Sequence, residues 1–85
     1  MSEQHTFYKK MENDNEKRIK EKCDFFYSEK VIVHVQKKDR EFLNGILEKK
    51  LKDGVWLLRE NKLGDVYLFE KDIFEIEEFK NEVGK

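Results

Sequence analysis

The sequence predicts a mainly β protein: an N-terminal amphipathic α-helix followed by a small, strongly bent, five-stranded antiparallel β-barrel. Three observations lead there. Apolar residues recur at three- and four-residue intervals as far as Phe26, then give way after Lys30 to strict alternation. Short apolar runs follow, each ended by a turn signal, with no helical period between them. One of these runs contains Gly45, and a glycine inside a strand marks a sharp bend or bulge.

The helix is expected over residues 7–28, after a patternless and disordered stretch at 1–6. Its stripe is Phe7, Met11, Ile19, Cys23 and Phe26, interrupted by Asn15, with lysines and glutamates on the other faces. So narrow a stripe cannot hold an isolated helix in water, so the helix must dock, chiefly through its second half. The barrel is expected over residues 29–79, with a short tail at 80–85. Val31, Val33 and Val35 alternate with Ile32, His34 and Gln36 in the first strand. A polar connection at residues 37–40 leads to a second strand over 42–51, where Leu43, Gly45 and Leu47 share a face. Asp53-Gly54 is a hairpin signal, because a type I′ turn needs positive φ at both central residues. The third strand, 55–58, and the fourth, 65–69, flank a turn at 61–64. A polar break at 70–72 precedes the last strand, 73–76.

A chain of 85 residues allows one domain with a modest core. Cys23 is the only cysteine, so disulfides contribute nothing, and a reducing compartment is expected. No stretch approaches the roughly 20 apolar residues that span a bilayer. The reading is of a soluble, cytoplasmic protein. Charged residues make up 44% of the chain, yet the net charge is −1, which gives no bulk attraction to nucleic acid or membrane. Lysines crowd the middle and glutamates the C-terminal part.

The runs at 55–58 and 66–69 are apolar on both faces. An apolar strand at a sheet edge is an aggregation hazard unless a partner pairs with it. A homo-oligomer is therefore expected, built through edge strands that carry Val66, Tyr67, Leu68, Phe69, Ile73, Phe74 and Ile76. The simpler reading is that the helix covers the surplus surface. Lys49, Lys50 and Lys52 flank the second hairpin and, with Lys71, are the candidate phosphate contacts. The simpler reading for these lysines is a solvated hairpin tip, and for Lys71 an ion pair with Glu70, Asp72 or Glu75. Trp56, Tyr67, Phe69, Phe74 and Phe42 could stack on bases, although aromatics in strands are more often core or interface. His5, Cys23 and His34 lack zinc-site spacing. No nucleophile elbow, phosphate-cradling loop or metal motif supports catalysis, and no cofactor or metal is expected.

Residues 43–47, Leu-Asn-Gly-Ile-Leu, resemble the bent second strand of the Sm/LSm family. Residues 55–59, Val-Trp-Leu-Leu-Arg, are similar to its third strand. Residues 69–76, Phe-Glu-Lys-Asp-Ile-Phe-Glu-Ile, are spaced like the last two strands of the bacterial Hfq proteins. The resemblance covers about residues 24–78. It implies a closed ring built through the fourth and fifth strands, holding single-stranded RNA by stacking and phosphate contacts. The family's RNA-gripping residues are mostly replaced. Leu51 and Val55 lie near its Asp and Asn positions, the Arg-Gly pair gives way to Glu70-Lys71-Asp72, and Phe69-Glu70-Lys71 stands for Tyr-Lys-His. The Sm-like domain of ribosome-maturation proteins and Tudor or SH3-like modules fit the same strand pattern. The functional expectation is an Sm-like oligomer that contacts single-stranded RNA. The alternative is an assembly module of the same fold that binds no nucleic acid.

Overall fold

The computed structural model describes residues 2–80, with side chains described from residue 14 onward. Helix α1 spans Ser2–Glu29. It starts ahead of the boundary read at residue 7, because no proline or glycine interrupts residues 2–6. Met1, the side chains of Phe7 and Met11 and the tail at 81–85 lie outside the described residues. Residues 14–18 are exposed, and the docked face begins at Ile19, continuing through Cys23 and Phe26. Burying Ile19 or Phe26 contributes about 1.5–3 kcal/mol each. The helix ends where Lys30 turns left-handed (φ 55°) and its N–H donates to Phe26 O at 2.9 Å, a cap usually made by glycine.

Five antiparallel strands follow: β1 (Ile32–Lys37), β2 (Phe42–Lys52), β3 (Val55–Glu60), β4 (Gly64–Phe69) and β5 (Ile73–Glu78). They form one sheet in the order β4-β3-β2-β1-β5. The last two strands are the two edges. They are not hydrogen-bonded to each other, so the sheet is not closed. A 3-10 turn, Glu70–Asp72, occupies the polar break and carries the chain from one edge to the other.

Alternation places Val33 and Val35 of β1, and Leu43, Gly45 and Leu47 of β2, on the inner face. Trp56, Leu58, Leu68, Ile73 and Ile76 complete the core with the helix side chains. At Gly45 β2 lies so close to β3 that a Cβ would be 2.0 Å from the Arg59 carbonyl oxygen, while the register there stays regular. The β2–β3 register shifts twice farther along the strand, between Leu47 and Lys49 and between Lys50 and Lys52.

The hairpin at Asp53-Gly54 forms, but only Gly54 (φ 81°) is left-handed, so the turn is not type I′. The neighbouring register shift supplies local twist that a I′ turn would otherwise provide. In the β1–β2 turn Arg40 is left-handed (φ 73°), its N–H donating to Lys37 O at 2.9 Å.

Two substitutions probe these positions. Gly45→Ala is expected to cost about 2–3 kcal/mol, because backbone rather than a movable side chain blocks the new methyl. The measurement is the urea midpoint. Arg40→Gly removes left-handed strain of about 1–2 kcal/mol but adds freedom to the unfolded chain. A net gain of roughly 0.5–1 kcal/mol is expected, visible as a raised midpoint.

Candidate nucleic-acid and assembly surfaces

The four candidate lysines do not share one environment. Lys50 sits over the Trp56 ring, 5.4 Å from its centroid, and pairs with Asp24 of the helix at 3.3 Å. It holds the helix to β2. Lys49, Lys52 and Lys71 are exposed and make no ion pair among the described residues. The ion pair considered for Lys71 is therefore not formed. The Glu70 N–H donates to Gly54 O at 2.9 Å, joining the 3-10 turn to the β2–β3 hairpin. Lys52, two residues before Gly54, and Lys71, next to Glu70, lie near that bond in its two segments. Lys49 stands farther back, opposite Leu57 on the outer face.

The edge residues also divide. Leu68, Ile73 and Ile76 are fully buried in the chain's own core, and Val66 is partly buried against it. Their strands alternate, so only every second side chain can face outward. Tyr67, Phe69 and Phe74 are exposed, with Tyr67 at 69%. Of the aromatics considered for stacking, Trp56 is excluded by complete burial. Phe42 lies parallel to the His34 ring on the outer face, with centroids 5.3 Å apart and planes at 15°. His34 Nδ1 donates to Asn44 Oδ1 at 2.6 Å.

A groove of about 320 Å³ runs between the helix and the turn, lined in part by Lys20, Asp53, Phe69, Glu70 and Lys71. Lys20 pairs with Asp53 and lies 3.7 Å from Glu70 Oε1. The buried Trp56 indole N–H donates to Glu70 Oε2 at 2.7 Å. The Cys23 thiol is pushed up to about 12, by burial first and then by the nearby carboxylates of Glu70 and Asp24, which leaves it an inert core group.

The sequence reading missed two acidic anchors. Glu60 is the one buried charged residue among those described, 7% exposed. Its carboxylate accepts the N–H groups of Asn44 (3.0 Å), Lys62 (2.7 Å) and Leu63 (2.9 Å). These three bonds hold its carboxyl below the ordinary range. An acid placed just before a tight turn was the available signal, since the turn's N–H groups need acceptors. The second is Glu75 of β5, bonded by Arg18 (3.0 and 3.1 Å) and Lys22 (2.6 Å) of the helix. Arg18 first and Lys22 second hold Glu75 at about 2, against the opposing effect of burial.

Compared with known proteins, the chain matches no family model, no curated protein and no solved structure. The two surfaces rest on geometry alone.

Both Glu60 and Glu75 have folded values below their unfolded ones. The stability they contribute is therefore complete above about pH 5 and is lost as pH falls toward 2. Urea midpoints measured across that range should decline on acidification. The decline should be shallower in Glu75→Gln, which starts less stable at neutral pH.

Proposed function

We propose that the chain assembles into an Sm-like oligomer through β4 and β5, and that the assembly contacts single-stranded RNA. One observation carries this reading. The two free edges are consecutive in the chain, joined by one short turn, and unpaired Lys52 and Lys71 stand at that joint. Edge pairing would cover Tyr67, Phe69 and Phe74, three large apolar side chains otherwise left in water. It would also repeat the joint once per copy. Charges too sparse to hold RNA in one copy would then gather in one place.

The second reading keeps the assembly and drops the RNA. It is favoured by the lysines already committed within the fold: Lys20 to Asp53, Lys22 to Glu75 and Glu77, Lys37 to Glu41 and Lys50 to Asp24. Titration with oligo-U and oligo-A across a salt series separates the two. The RNA reading expects affinity that falls with salt, and a loss of about tenfold or more when Lys49, Lys52 and Lys71 become Ala. Lys50→Ala should instead lower thermal stability and leave the salt slope nearly unchanged. A correctly assembled oligomer that binds neither oligonucleotide at low salt would leave only the second reading.

A further inference from the structure

The 3-10 turn Glu70–Asp72 joins the two free edges directly in the chain, so its geometry, with the ladders that hold β4 to β3 and β5 to β1, constrains how β5 departs from β4. A segment this short could flex if it were held only at its ends. It is held at several points. The Glu70 N–H donates to Gly54 O in the β2–β3 hairpin, and the Lys38 N–H donates to Asp72 O at 2.8 Å from the β1–β2 turn. Between these points the Glu70 side chain turns inward, 11% exposed, into the groove beside the helix. One carboxylate oxygen accepts the buried Trp56 indole N–H at 2.7 Å, and the other lies 3.7 Å from Lys20 Nζ. Trp56 is itself fixed, fully buried and edge-on to Tyr27 of the helix at 5.1 Å.

Each of these contacts is local, and together they give Glu70 a particular place. It is a charged side chain on the edge-to-edge turn, bonded to the core tryptophan and facing the docked helix. A solvated surface glutamate would have no reason to accept from a buried indole. The buried N–H requires an acceptor, and Glu70 meets that need only while the turn keeps its present path.

We propose that Glu70 is a positioning residue for assembly: by bonding Trp56 it fixes the angle between the β4 and β5 edges and thereby the number of copies that close the oligomer. The inference rests on the assembly reading above and deepens it. In a closed ring of identical copies, the rotation from one copy to the next determines the copy number. That rotation depends on how the two edges of one copy are disposed. A turn locked by Glu70 gives one rotation and one closed state. A turn released from Trp56 gives a spread of rotations, and hence several closures or open chains. Lys20 is the natural control, because its loss weakens helix docking while leaving the Glu70–Trp56 bond in place.

The test is native mass spectrometry of the full chain, supported by light scattering, for wild type, Glu70→Ala, Glu70→Gln and Lys20→Ala. Wild type is expected at a single copy number. Glu70→Ala should shift by at least one subunit or spread over several masses. Glu70→Gln keeps an acceptor for the indole N–H and should restore the wild-type mass, and Lys20→Ala should keep it. Circular dichroism must show each variant folded. Hydrogen exchange at residues 69–74 should quicken in Glu70→Ala and return toward wild type in Glu70→Gln. A single unchanged mass for Glu70→Ala, or a Glu70→Gln variant as dispersed as Glu70→Ala, overturns the proposal and leaves the assembly reading standing. A monomeric wild type overturns the assembly reading itself. A Glu70→Ala chain that does not fold hands the decision to Glu70→Gln with Trp56→Phe. The latter removes the indole N–H but also leaves a cavity, so circular dichroism must again show it folded; it should reproduce the dispersion, and an unchanged single mass there overturns the proposal.

Discussion

At Gly45 the backbones of β2 and β3 approach so closely that no side chain fits between them, and the rest of the architecture depends on that approach. A Cβ there would meet the Arg59 carbonyl oxygen at 2.0 Å. The eleven residues of β2 can therefore lie tight against β3, and one sheet with the helix encloses Trp56 and Leu58. The approach is held from the adjacent turn. Gly45 is paired in register with Glu60, whose carboxylate binds the backbone of Asn44 on one strand and of Lys62 and Leu63 in the turn. A buried carboxylate without a cation is costly unless its oxygens are filled by donors. Here three backbone N–H groups fill them, so the charge serves to tie β2 beside the close approach to the β3–β4 turn.

The helix completes the enclosure of the core. Ile19, Cys23 and Phe26 close the apolar core, while the ion pairs lie around them. Arg18 and Lys22 reach Glu75 and Glu77 on β5, Lys20 reaches Asp53 and Glu70, and the Asp24 carboxylate reaches Lys50. Pairs this exposed contribute little each in stability. Their value is in orientation, because they fix the helix against β5, the hairpin tip and the 3-10 turn at once. The hairpin tip, the 3-10 turn and the β5 edge are thus all referenced to one helix.

Most of the fold was legible in the sequence, and the limits have physical causes. Alternation in the first strand, and short apolar runs between turn signals in the later ones, located all five strands, because both reflect rules that act within a few residues. The helix was legible over 7–28, but its start at Ser2 was not, because a short polar stretch without Pro or Gly is compatible with either helix or coil. The hairpin was placed correctly and its turn type was not, because the adjacent register shift changes the twist the turn must supply. The surfaces were less legible. Leu68, Ile73 and Ile76 read as surplus apolar surface only because the sequence cannot show that the sheet curls inward upon them. The four lysines looked alike, yet Lys50 is held by Asp24 and Trp56, residues 26 and six positions away in the chain, and only the tertiary structure brings those partners together.

That division of the lysines bears on which functional reading depends on the other. The chain has a net charge of −1, and its fold commits Lys20, Lys22, Lys37 and Lys50 to carboxylates. Of the candidate cations, Lys49, Lys52 and Lys71 alone remain unpaired among the described residues. On the proposed reading, these three lysines in one copy release too few counterions to hold RNA at physiological salt. That reading therefore places assembly before nucleic-acid binding, through repetition of the joint at Lys52 and Lys71. Assembly has no such requirement. The exposed Tyr67, Phe69 and Phe74 and the unpaired N–H and C=O groups of β4 and β5 favour pairing whether or not RNA is present. In the proposed function the order of dependence thus runs from edge to oligomer to RNA, and the short turn between the edges is where the three would meet.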